Sequence, residues 1–146
     1  MEGGDGDDIL FGGWFNIGNT DQDGGEGDDR MLGSDYGDDD MQGGPGNDYM
    51  FGRGGDDEMF GGPGDDIMKA GSTGGAYGQD LMRGGPGNDT MYGGFDAFDT
   101  SYGGGAFSYL YGDEGDDLMY GGAFASNEFM WGGEGDDTIH GGYGSA

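Results

Sequence analysis

Residues 43–69 read GGPGNDYMF, GRGGDDEMF, GGPGDDIMK, three nonapeptides joined end to end with no spacer. Each follows G-G-x-G-x-D-x-U-x, where U is a large apolar residue, here Met50, Met59 and Met68. The middle copy departs slightly, with Arg53 at its second position and Gly54 at its third. Nine residues are too few for a helix and a turn but enough for a turn and a short strand. Glycines at positions one, two and four admit positive φ and close backbone approach. The closing triplet x-U-x has the period of a strand, so U points inward and its neighbours outward. Two nonapeptides make one coil of roughly 18 residues, and stacked coils make two parallel sheets.

A glycine-rich turn can aim several carbonyls at one point, and the Asp at position six adds a carboxylate there. Oxygen donors without nitrogen or sulfur suit a hard cation that takes six to eight ligands, which means Ca²⁺. Mg²⁺ fits less well, because it demands a strict octahedron and keeps its waters.

The same unit recurs along nearly the whole chain, at 3–11, 24–32, 84–92, 112–120 and 132–140 as well as in 43–69. A single GGxGxD would be weak evidence, but at least seven clear copies are specific. On these motifs the chain resembles the RTX (repeats-in-toxin) calcium-binding β-roll family. The resemblance implies an all-β fold: a parallel β-roll, or right-handed β-helix solenoid, with two short-stranded parallel sheets and Ca²⁺ bound in the turns. It also implies a secreted, extracellular protein, in some cases held at the cell surface.

The position-six residues are the expected metal ligands: Asp8, Asp29, Asp39, Asp48, Asp57, Asp66, Asp80, Asp89, Asp99, Asp117 and Asp137. Several Ca²⁺ ions are the expected cofactor. Acidic residues at positions three and five, such as Asp5 and Asp28, read as solvated turn residues rather than ligands.

Composition makes a cation necessary. The chain has 146 residues with 42 Gly, 31 Asp and Glu, only 4 Lys and Arg, and no Cys, for a formal charge of −27. A chain this charged and this poor in apolar residues reads as disordered on its own. Ordering it costs on the order of 200 kcal/mol at about 1.5 kcal/mol per residue. Divalent ions would supply both charge balance and binding energy, so folding should be linked to metal. Nucleic acid is excluded as a general partner by phosphate repulsion. No apolar run approaches the roughly 20 residues of a membrane-spanning helix. No signal peptide is visible, since Met1-Glu2 leads straight into Gly3-Gly4.

A single domain over 1–146 is expected, with lengthened turns near 12–23, 70–78, 93–108 and 121–128. If alternate segments fall on opposite edges, the clean copies hold one edge through residue 92. Counting 93–102 and 103–111 as two segments then moves 112–120 and 132–140 to the other edge. The expected core row is Leu10, Met31, Met41, Met50, Met59, Met68, Met82, Met91, Leu110, Met119, Met130 and Ile139. Methionine suits a thin, irregular core.

Position nine carries an outward row of Phe11, Phe51, Phe60, Tyr92, Tyr102, Tyr111, Tyr120, Trp131 and His140. Such a row either stacks on itself from coil to coil or makes lateral contacts, to another copy, a glycan or a cell surface. With one histidine, no cysteine and no Ser-His-Asp set, an enzyme is not expected. A clean copy opens at residue 3, and the last copy stops after it has begun. Repeat arrays need atypical caps, so head-to-tail stacking into a filament or surface assembly is one expectation. The other is a calcium-folding and secretion module of a larger toxin, protease or adhesin.

Overall fold

The computed structural model describes residues 1–14, 18–71, 78–94, 107–122 and 127–141. The expected ligand Asp99 and the expected row residue Tyr102 lie outside them. The described strands are β1 (Glu2–Asp5), β2 (Ile9–Phe11), β3 (Asp21–Glu26), β4 (Arg30–Leu32), β5 (Asp40–Gln42), β6 (Tyr49–Phe51) and β7 (Glu58–Phe60). They continue with β8 (Ile67–Lys69), β9 (Gln79–Pro86), β10 (Thr90–Gly93), β11 (Phe107–Glu114), β12 (Leu118–Gly121), β13 (Asn127–Glu134) and β14 (Thr138–His140). Odd strands form one seven-stranded parallel sheet and even strands the other, each in chain order. The fold is the all-β, two-sheet parallel roll expected from the repeat.

Register is set by the apolar position. Met31, Met50, Met68, Met91 and Met119 stand opposite one another in successive even strands. Met41, Met59, Met82 and Leu110 do the same in the odd sheet. These side chains are fully buried and form one core with Leu10 and Ala70. Because the side-chain period is two, a one-residue slip would turn this whole row to water. The odd-sheet row opens with a polar residue, Gln22, which pairs in register with Met41 and is 3% exposed.

The chain therefore crosses between sheets along two edges. Turns ending at Asp8, Asp29, Asp48, Asp66, Asp89, Asp117 and Asp137 lead from the odd to the even sheet and form the first edge. Turns from the even to the odd sheet form the second edge, and the long connections lie there.

The expected change of edge after residue 92 does not occur. β10 lies in the even sheet and β11, the next described strand, lies in the odd sheet. The pairing of Met91 with Met119 holds this register, and the clean copies stay on the first edge throughout.

Outward from the even sheet, part of the aromatic row stacks on itself. Tyr92 and Tyr120 lie 5.1 Å apart at 6°, and Tyr120 and His140 lie 4.8 Å apart at 12°. All four basic residues stand over rings: Arg30 over Tyr49, Arg53 over Trp14, Lys69 over Tyr92 and Arg83 over Tyr111.

Candidate metal centres

Position four of a first-edge turn must be glycine. Gly46, Gly64, Gly87 and Gly115 have φ between 136° and 150°. A Cβ on each would overlap the carbonyl oxygen of the glycine one coil before. Position one is constrained from another side. A Cβ on Gly24, Gly43, Gly61, Gly84 or Gly112 would strike Oδ2 of its own turn's position-six Asp, and it also faces the position-one carbonyl of the next coil. Each turn thus packs a carboxylate oxygen and a carbonyl oxygen from adjacent coils around a glycine Cα.

The carboxylates form a ladder. The amides of Asp8, Asp29, Asp48, Asp66, Asp89 and Asp117 each donate to Oδ1 of the position-six Asp one coil ahead, at 2.7–3.0 Å. On the second edge, Thr20 donates to Asp39, Asp39 to Asp57 and Asp57 to Asp80, at 2.7, 2.9 and 3.1 Å. The second-edge row then reaches Ser108 and Glu128, which stand in register with Asp80.

One oxygen of each carboxylate is thereby used. The other is not: Oδ2 of Asp29, Asp48, Asp57, Asp66, Asp89 and Asp117 is buried with no hydrogen-bond partner. Leaving a buried carboxylate oxygen unpaired costs far more than a surface one, so a partner is required. Burial drives Asp48, Asp57, Asp66, Asp89 and Asp117 toward protonation when no cation is present. It pushes Asp57 up to about 8, Asp66, Asp80 and Asp89 up to about 7, and Asp48 up to about 6. Neighbouring carboxylates in the ladder add to the rise.

Among the described residues no three His, Cys, Asp or Glu side chains converge as a ready-made cluster. Any ion must therefore share one carboxylate oxygen with backbone carbonyls. An all-oxygen set lining a cradle that excludes even a methyl group fits a hard cation, as in calcium sites. The unpaired Oδ2 atoms would hold it. A bound Ca²⁺ would supply positive charge and a bond between successive coils.

The chain was compared with known proteins. A family model described as the RTX calcium-binding nonapeptide repeat (4 copies) matches residues 1–16, 34–68, 75–97, 94–126 and 123–145. The chain belongs to this RTX repeat family. No curated protein matches it. Membership implies calcium binding, a structural rather than characteristically catalytic fold, and the secreted setting typical of RTX repeats. No helix of the described residues is long and apolar enough to cross a membrane.

The position-six residues do not all behave alike in this RTX roll. Asp8 and Asp137 occupy the end rungs and are half-buried. Asp39 differs more: Oδ1 accepts from the Thr20 amide at 2.7 Å and the Thr20 hydroxyl at 2.9 Å, and Oδ2 accepts from the Ser34 amide at 2.5 Å. Elsewhere a position-two amide donates instead to the position-one carbonyl of the next coil, as Gly44 does to Gly61 at 3.0 Å. Asp39 is therefore satisfied by protein donors. At another irregular turn, the Gly122 amide donates to Glu128 in the same way.

Sequence reasoning missed a second ladder at position five. Amides of Asp28, Asn47, Asp65, Asn88, Asp116 and Asp136 donate to the position-five oxygen one coil behind, at 2.8–3.1 Å. Its bonds run opposite to the position-six ladder, so each joint is stitched in both directions. The signal was present, since Asp7, Asp28, Asn47, Asp65, Asn88, Asp116 and Asp136 are all Asp or Asn. Both types offer a short side-chain acceptor.

Proposed function

We propose that the chain is a calcium-triggered structural roll that works outside the cell, with Ca²⁺ held by Asp29, Asp48, Asp57, Asp66, Asp89 and Asp117. Asp8, Asp80 and Asp137 extend the same rows. The buried, partnerless Oδ2 row carries this reading. A chain of charge −27 at pH 7 does not close this ladder near neutral pH without metal cations, so calcium concentration acts as the folding switch there. Inside the cell the chain stays expanded, and in a millimolar-calcium exterior it closes.

The reading includes association along the roll axis. Ile139 belongs to the core row yet is 46% exposed in the last described coil, whereas Leu10 in the first is 5% exposed. That coil offers its rows to a further coil. A second copy stacking there gives a filament or surface assembly. A further stretch of the same chain gives a calcium-folding module of a larger secreted toxin, protease or adhesin.

Sedimentation velocity in chelator and then in millimolar calcium tests the reading. An expanded monomer that becomes compact supports the folding module, and one that becomes large polymers supports stacking. No response to calcium sinks the proposal.

A further inference from the structure

We propose that the guanidinium of Arg53 is a built-in cation that holds the first joint of the second edge, between turns 12–20 and 33–39, in place of Ca²⁺. The inference rests on the calcium reading of the other turns. Arg53 occupies position two of its repeat, where Gly25, Gly44, Gly62 and Gly85 stand in other turns, and it keeps a glycine-like φ of 82°. A side chain held in that region is strained, so something must hold it there. The side chain turns back toward the preceding coil and is 5% exposed, the one basic residue of the four to be buried.

Its contacts are those of a bound cation. Nη2 pairs with Asp35 Oδ1 at 2.9 Å, and both side chains are nearly buried. Nη1 donates to the carbonyl of Gly33 at 3.4 Å. Gly33 is the position-one glycine of its turn, the carbonyl type that faces an unpaired Oδ2 on the first edge. Trp14 covers the guanidinium face at 4.5 Å, with Phe11 behind at 5.8 Å. Desolvated cations gain from such ring faces.

At this joint the acid of the position-six row is already tied to protein donors, which leaves Asp35 and the Gly33 carbonyl as the oxygens that meet a cation. Thr20 stands in the acidic place of the first turn, and its amide and hydroxyl both donate to Asp39. Asp39 has its second oxygen satisfied by Ser34. No orphaned Oδ2 occurs here, unlike at Asp57 one coil on. A fixed positive charge stands where Asp35 and the Gly33 carbonyl would otherwise meet an exchangeable one.

Native mass spectrometry of the full chain in saturating calcium tests this on Arg53→Gly and Arg53→Lys, with circular dichroism confirming that each folds. Arg53→Gly relieves the backbone and restores the glycine pair, but it leaves Asp35 and the Gly33 carbonyl without their cation. It should carry one more calcium ion than the wild type, while Arg53→Lys should carry the wild-type number. Should Arg53→Gly fail to fold, Arg53→Gln keeps the packing and drops the charge, with the same expected gain. Equal, non-zero ion counts in the wild type and the uncharged variant overturn the inference alone. A wild-type chain that binds no calcium overturns the calcium reading beneath it as well.

Discussion

The amide of Asp48 donates to Asp66 Oδ1 at 2.8 Å, while Asp66 Oδ2 is buried with no partner. One oxygen builds the roll and the other is left to a cation. Asp66→Asn separates these roles, because the amide oxygen still accepts the bond while the charge is lost. The calcium midpoint for folding should rise about tenfold or more, a loss of about 1.4 kcal/mol per decade. Asp66→Ala should add about 1–3 kcal/mol, because the Asp48 amide loses its acceptor as well. Calcium titrations followed by circular dichroism measure both. An unchanged midpoint in Asp66→Asn would remove Asp66 from the ligand set.

Protons should substitute for calcium. Burial raises Asp57 to about 8, Asp66, Asp80 and Asp89 to about 7, and Asp48 to about 6 in the metal-free roll, against about 3.9 in an unfolded chain. The folded state therefore binds protons more tightly than the unfolded state. Each group's contribution is fully present below about pH 4 and is lost as pH rises through 6 to 8. In chelator the chain should gain β-structure on acidification from pH 8 to 4. With calcium present, the same protonation should weaken binding and raise the calcium midpoint. Circular dichroism across pH, with and without chelator, checks both signs; a metal-free chain that loses structure on acidification contradicts them.

Glycine at position four carries two separable demands. Gly6 has φ of 99° and open space where a side-chain methyl would stand, whereas a methyl on Gly64 would overlap the Gly46 carbonyl. Gly6→Ala should cost only the left-handed backbone, about 1–2 kcal/mol. Gly64→Ala must also push two coils apart at a ligand-bearing turn. It should raise the calcium midpoint well beyond Gly6→Ala and lower the thermal midpoint in saturating calcium. Equal effects of the two substitutions would show that coil spacing does not limit the turn.

Repeat period, core row and position-six acids were legible because each recurs every nine residues. The edge assignment after Tyr92 was not. Gly103-Gly104-Gly105 resembles the opening of a repeat, and counting it as one shifts every later copy by half a coil. Register across coils corrects this: Tyr92 pairs with Tyr120 although 28 residues separate them, against 18 between Asp48 and Asp66. A period count cannot tell whether an irregular stretch between clean copies stands for one segment or two. The satisfied state of Asp39 was equally hidden, since it depends on Ser34 and Thr20, neither of which belongs to the motif.

Gln22 shows what the missing apolar residue costs. It occupies the core row in register with Met41, and its amide nitrogen donates to the Leu32 carbonyl at 2.7 Å. Its Oε1 is buried without a partner. The Leu32 carbonyl also accepts from the Gly12 amide at 2.8 Å, so it keeps a donor if Gln22 is replaced. Gln22→Met has nearly the same length, extends the methionine row and removes a buried orphan acceptor. Because an unsatisfied buried polar group costs about 1–3 kcal/mol, the substitution should stabilise the roll by about 1 kcal/mol in saturating calcium. Ion count should stay the same, because Gln22 faces the core rather than a turn. Thermal unfolding with calcium, paired with native mass spectrometry, reads both quantities. A lower thermal midpoint would mean that the Gln22–Leu32 bond outweighs the orphan, and that the row requires a polar residue where β3 meets β5.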